Sequence, residues 1–139
     1  MDLEKLLLAS PFHRWLGLQM VKITETEVHI RLPYKKEFAG SDEEVNIHGG
    51  VISSLIDISA CFAMMNSAKR DAPNLNLEVH YTRMAAAGDE LTAYAKTIKA
   101  GRTLGIADVE VRNQDDKLIA VGRSLLSTTA PERKILTKK

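Results

Sequence analysis

The spacing of apolar positions changes along the chain, and each change predicts an element. Leu3, Leu6 and Leu7 fall at helical spacing, with Asp2 and Glu4 where a first helical turn favours acids. A short helix over 2–9 follows, ended by Pro11. Phe12, Trp15 and Leu16 form either a second short turn or a cap over the core. In GLQMVKITETEVHIRLP the character shifts to two β-prone runs, about 17–24 and 27–32, around Glu25-Thr26. This reads as a hairpin closed by Pro33. Residues 33–46, PYKKEFAGSDEEVN, have opposed charge clusters and no period, the mark of a loop. Loops of that length in compact domains are commonly functional.

The next stretch, NIHGGVISSLIDISACFAMM, is the most apolar of the chain. Residues 49–66 lack Pro, and Asp57 is their only Asp, Glu, Lys or Arg. A helix over them would span about 27 Å. Val51, Ile52, Leu55, Ile56, Ile58, Phe62 and Met65 cover more than half its surface, so it belongs inside a fold. Asn66, Ser67 and the charges from Lys69 to Asp71 let it end, and Pro73 stops it. LNLEVHYTR then alternates Leu75, Leu77, Val79 and Tyr81 against Asn76, Glu78, His80 and Thr82, the period of a half-buried strand. Three more strands are expected at 90–99, 103–113 and 117–128. Gly88-Asp89, KAGR at 99–102 and NQDDK at 113–117 supply the turns. Short turns imply antiparallel pairing. The expected class is α+β, with one antiparallel sheet of about six strands curved around one long central helix. A single helical layer leaves sheet surface uncovered, which favours a homodimer or a larger assembly.

Composition narrows this picture. A length of 139 residues fits one domain over 1–139, its core about 12–128, with a basic tail over 129–139 that is partly mobile. Hydrophobic residues at 45% and charged residues at 27% exclude a wholly disordered chain. A formal net charge of +1 gives no general attraction to nucleic acid or to an anionic membrane. The single cysteine, Cys61, excludes an intrachain disulfide and favours a reducing compartment. MDLEKLLLASPFHRWLG is too polar for a secretory signal, and the apolar segment is interrupted by Asp57, serines and glycines. The expected location is the cytoplasm. No G-x-S-x-G elbow, Walker loop or zinc spacing occurs, and His13, His29, His48 and His80 are scattered. No metal site is expected.

Asp57 is the candidate for chemistry, because a lone carboxylate in an apolar helix is costly unless solvated or paired. On a helical wheel Gly50, Ser53, Ser54, Asp57, Ala60 and Cys61 form one small, partly polar stripe. Gly49 and Gly50 follow His48 at the helix start, where backbone N–H groups lack internal partners and the dipole favours negative charge. A thioester oxygen developing negative charge could be held there, with the carboxylate roughly 10 Å further along the axis. The plainer readings stay open. Asp57 pairs with an arginine or with backbone at an interface, the glycines only permit a tight turn, and His48 is a cap or a general base. Cys61 reads as a small buried residue.

HGGVISSLID, with LEVHYTRMAAAGDEL, KAGRTLGIADVEV and KLIAVGRSLL, resembles the hotdog-fold acyl-CoA thioesterases of the PaaI-like (phenylacetate-degradation) group over about residues 12–128. The resemblance implies that Asp57 is the catalytic carboxylate, as nucleophile or as general base for water. It implies that the Gly49 N–H holds the thioester oxygen and that His48 begins the helix and braces the loop. It implies a site formed between two subunits of a homodimer, or of a dimer of dimers, with acyl chain and pantetheine along the interface. The substrate-binding residues would be Gly50, Asn46, Ser53, Ser54, Cys61, Arg83, Arg102 and Thr103. The turn at Lys99, Gly101, Arg102 and Thr103 either borders the coenzyme A channel or is simply an exposed turn. No cofactor is implied beyond the coenzyme A of the substrate. An aryl or medium-chain acyl group suits the apolar lining.

Three positions depart from the group. Asp42 stands where many members carry Asn, with Asn46 as a candidate substitute. No Gly lies between Ser41 and His48, and Met84 replaces a common Pro. Two alternatives follow. One is a hotdog hydratase or dehydratase, which needs a His paired with a carboxylate. The other is a protein that binds acyl-CoA without cleaving it.

Overall fold

A computed structural model describes residues 1–131. The basic tail expected over 129–139 therefore lies, from residue 132 on, outside the described residues. Two short helices open the chain. Helix α1 (Leu3–Ala9) is capped by Asp2, whose carboxylate accepts the Lys5 N–H at 3.1 Å. Pro11 ends it and starts α2 (Pro11–Leu16), where a missing N–H costs nothing. Gly17 closes α2 in the left-handed conformation at φ 78°. Leu3, Leu7, Leu16 and Leu18 are buried, so these helices cap the core.

The hairpin forms as β1 (Gln19–Ile23) and β2 (Glu27–Leu32). The loop after it contains one 3₁₀ turn, Lys36–Phe38, which sinks Phe38 completely into the core. Helix α3 (Gly49–Ala68) comes next, then β3 (Glu78–Tyr81), β4 (Leu91–Ala100), β5 (Leu104–Arg112) and β6 (Leu118–Ser127). The six strands form one antiparallel sheet in the order β1-β2-β4-β5-β6-β3. Helix α3 thus carries the chain from β2 to the opposite edge of the sheet.

The sheet accepts α3 because its inner face is small. Ala93, Ala95, Ala107 and Ala120 are fully or nearly fully buried there. Gly105 and Gly122 complete the trough: a Cβ at Gly105 would lie 2.6 Å from Met64 Sδ, and one at Gly122 would lie 2.5 Å from Ile56 Cγ2. Ile52, Leu55, Ile56, Phe62, Ala63 and Met64 fill this surface at close packing. By length and composition α3 could cross a membrane, yet 61% of its most apolar window is buried within the fold.

Three expectations need correction. The strand expected from LNLEVHYTR is only four residues long and lies at the sheet edge. Leu75 is 59% and Tyr81 53% exposed, because β6 pairs with one edge of this segment and no described strand pairs with the other. Helix α3 runs past Asn66 to Ala68; Asn66 is buried, with its Nδ2 donating to Thr24 O at 2.6 Å. Ala60 is turned fully into the core, so it leaves the stripe. Gly50, Ser53, Ser54, Asp57 and Cys61 remain at least partly open.

Candidate active site

The start of α3 is bound on almost every side. His48 is its N-cap: the ring Nδ1 accepts the Gly50 N–H at 2.8 Å. That bond leaves Nε2 as the protonated nitrogen of the neutral ring. The His48 N–H donates to Phe38 O at 2.7 Å, and its carbonyl accepts the Val51 N–H at 3.0 Å. Ile47 N–H is held by Ala85 O at 2.9 Å. Among the described residues the Gly49 N–H meets no acceptor, which leaves one free donor at the positive end of a 20-residue helix.

Tyr81 reaches this turn from β3. Its hydroxyl donates to Gly49 O at 2.9 Å and shares a short hydrogen bond with Ser53 Oγ. An open cleft of about 360 Å³ lies alongside, lined by Asn46, Ile47, Gly49, Tyr81, Arg83 and Met84, among others. Asn46 is half-buried, with its Nδ2 on Ile47 O at 3.2 Å. The structure thus brings together Gly49, Asn46 and Arg83 of the expected residues, with His48 and Gly50 beside them. Ser54 is spent inside its own helix, donating to Gly50 O at 2.8 Å. Asp42 stands in the exposed acidic loop.

Asp57 lies elsewhere on α3, half-buried on the open stripe. Its carboxylate has no hydrogen-bond donor among the described residues. Burial pushes its pKa above the ordinary carboxylate value, and the charge of His13 on α2 opposes this. His13 is anchored through Nδ1–H to Leu7 O at 2.9 Å and sets its ring edge-on to Phe62, at 5.9 Å. Asn74 supports the backbone from the far side, its Nδ2 donating to Ser124 Oγ at 2.8 Å and to Asp57 O at 3.4 Å. One turn on, the Cys61 thiol lies within hydrogen-bond reach of two acceptors, Ala72 O at 3.3 Å and Met65 Sδ at 3.7 Å.

Arg102 and Thr103 are not brought to either group. Thr97 Oγ1 donates to Ala63 O at 3.1 Å and accepts from Ser67 Oγ at 2.7 Å. These bonds set the end of β4, and the turn after it, beside the C-terminal part of α3. Among the described residues no group of three or more His, Cys, Asp or Glu side chains could hold a metal ion.

Tyr81, His13 and Asn74 were missed by sequence reasoning. Only Tyr81 carried a signal, as an aromatic residue in an alternating run. The other two meet α3 through long connections that leave no local pattern.

The described fold and this helix start coincide with a known family. The model of the thioesterase superfamily matches residues 45–120, and the chain belongs to that superfamily. It has the hotdog fold. Mouse acyl-coenzyme A thioesterase 13 (Mus musculus) is 36% identical over 80 residues, which span 55% of this chain and 56% of that protein. The acyl-coenzyme A thioesterase PaaI of Escherichia coli is 28% identical over 108 residues, spanning 78% of this chain and 75% of that protein. The solved structure of Escherichia coli PaaI superposes with a TM-score of 0.84 at 22% identity, covering 92% of this chain and 91% of its own; this likeness speaks for the fold. A conserved protein from Pseudomonas aeruginosa superposes with a TM-score of 0.77 at 30% identity, over 85% of this chain and 93% of its own.

Proposed function

We propose that this single-domain chain is a cytoplasmic acyl-CoA thioesterase acting on aryl or medium-chain acyl groups. The observation that supports this reading is the presence on one helix of two groups without a hydrogen-bond partner among the described residues: the Gly49 N–H and the Asp57 carboxylate. Gly49 N–H receives the thioester oxygen as it gains negative charge. Asp57 either attacks the carbonyl carbon or takes a proton from the attacking water; its raised pKa makes it a stronger base than an ordinary carboxylate. When water attacks, the proton taken by Asp57 passes to the thiolate of coenzyme A as the C–S bond breaks. When Asp57 attacks, the same bond breaks and leaves an acyl–aspartyl anhydride, which a water then hydrolyses, restoring the carboxylate and supplying the proton for the thiolate. Free acid and coenzyme A result, and no further cofactor enters.

The two groups serve one thioester only if they come from two chains. Eight residues of helix separate them by about 12 Å, several times the width of a thioester group. Twofold, antiparallel pairing of α3 sets Gly49 against Asp57 of the partner subunit and puts Ser53, midway between, at the axis. The free edge of β3 and the open stripe of α3 supply the surface for it. Arg83 and Asn46 then line the thioester cleft, while Arg102 and Thr103 lie further along the partner helix, toward the coenzyme A phosphates.

A second reading has one observation in its favour. Enoyl-thioester hydration needs a His near a carboxylate, and His13 acts on Asp57. A thiol-release screen over short, long and aryl acyl-CoA substrates, run beside a hydration assay on enoyl thioesters, separates the two. Thiol release that D57N abolishes, with dimer and fold intact, supports hydrolysis. Full turnover by D57N contradicts it.

A further inference from the structure

We infer that Tyr81 is a positioning residue for the oxygen-binding donor, clamping the Gly49–Gly50 peptide so that the Gly49 N–H points in one fixed direction. This rests on the thioesterase reading and deepens it.

The clamp follows from hydrogen-bond direction. The Tyr81 hydroxyl has one proton and gives it to Gly49 O at 2.9 Å. Its bond with Ser53 therefore runs the other way, with Ser53 donating and Tyr81 accepting. The same peptide unit is held at its nitrogen, where Gly50 N–H donates to His48 Nδ1 at 2.8 Å. A continuous chain results: Ser53 hydroxyl, Tyr81 hydroxyl, Gly49–Gly50 peptide, His48 ring. Bonds in such a chain polarise and strengthen one another. The preceding peptide is pinned too, because His48 O accepts Val51 N–H at 3.0 Å. Among the described residues the Gly49 N–H has no acceptor, while the Gly50 and Val51 N–H groups beside it are both engaged.

The ring adds a steric restraint. A Cβ on Gly49 would sit 3.3 Å from Tyr81 Cζ and Oη. Glycine at 49 thus serves two ends, a free approach to its nitrogen on one side and Tyr81 against its α-carbon on the other. Tyr81 is also the last residue of the edge strand β3. It ties the helix start to the strand on which a second subunit would be laid, so that the donor is set by the strand position and not by the helix alone. An oxyanion donor must be in place before charge develops, since reorienting it during reaction forfeits its advantage. Tyr81 supplies that preorganisation without touching the reacting atoms.

The test is Y81F, which keeps the ring and removes one oxygen at a half-exposed site. The expected result is a fall in kcat of about tenfold, the worth of one hydrogen bond, with KM within about twofold of wild type and the dimer intact. In ¹⁵N–¹H spectra the Gly49 and Gly50 amides of Y81F should shift and exchange faster with solvent. This readout needs no turnover, so it reports the clamp even if the protein hydrolyses no thioester. Unchanged amides, or an unchanged kcat, overturn the inference. So does a rise in KM at constant kcat, which would make Tyr81 a substrate contact.

Discussion

Gly49 and Asp57 lie on one unbroken helix, two turns apart, with the backbone N–H of the first and the carboxylate of the second both unpartnered among the described residues. A donor and a base left open in this way complement the two ends of a thioester undergoing attack. Their separation along the axis is why the proposed thioesterase reading has each work with the other member from a second subunit.

The role of the Gly49 N–H is separable from the shape of the residue. Gly49 occupies the first position of α3, where proline is well tolerated, and His48 has the extended backbone (φ −59°, ψ 133°) that precedes proline. Gly49→Ala and Gly49→Pro both add a Cβ against Tyr81, but only the second removes the N–H. Steady-state kinetics should show a modest loss for alanine and a further fall of about 100- to 1000-fold in kcat for proline. Equal losses in both would mean that crowding, not the donor, matters.

Asp57 predicts a pH-dependent stability. Burial raises its folded-state pKa above the unfolded value. Its contribution is therefore fully present below the unfolded pKa and is lost as pH rises through the folded pKa. Thermal melts should show D57N gaining on wild type as pH rises from the acid side to neutrality, with the gain absent at the acid end. A constant offset at every pH would contradict this.

His13 acts on the same carboxylate with opposite sign. His13→Asn keeps a donor for Leu7 O but removes the charge. With less opposition to burial, Asp57 should ionise at higher pH, so the acid limb of kcat/KM should move upward. Equal loss across the whole pH range would assign His13 a purely structural role.

Much of this was legible in the sequence, for physical reasons. Helix α3 announced itself because its apolar faces repeat at helical spacing and only Asp57 interrupts them; Gly49 begins it and His48 directly precedes it. The long strands β4, β5 and β6 alternate because one face is buried. The run through Tyr81 alternates as well, but it lies at the sheet edge, and the strand shrinks to four residues of which only Val79 is partly buried. Tyr81, His13 and Asn74 could not be paired with α3 in advance. Their meetings depend on strand order and on where α2 crosses, which no local period encodes.

Arg102 tests the expected coenzyme A channel. If its guanidinium meets phosphate, Arg102→Ala should raise KM several-fold for an acyl-CoA and leave the matching acyl-pantetheine, which lacks the nucleotide phosphates, unchanged. Equal kinetics on both substrates would make the turn at 99–103 a plain surface turn.

The claim that each site takes Gly49 from one subunit and Asp57 from the other is tested most directly by complementation. D57N and Gly49→Pro chains, carrying different tags, are co-expressed, and the doubly tagged heterodimer is purified and assayed for thiol release. Each parent homodimer should be inactive. In the heterodimer one of two sites regains both groups, so about half the wild-type turnover should return. A heterodimer as inactive as its parents would contradict the shared site.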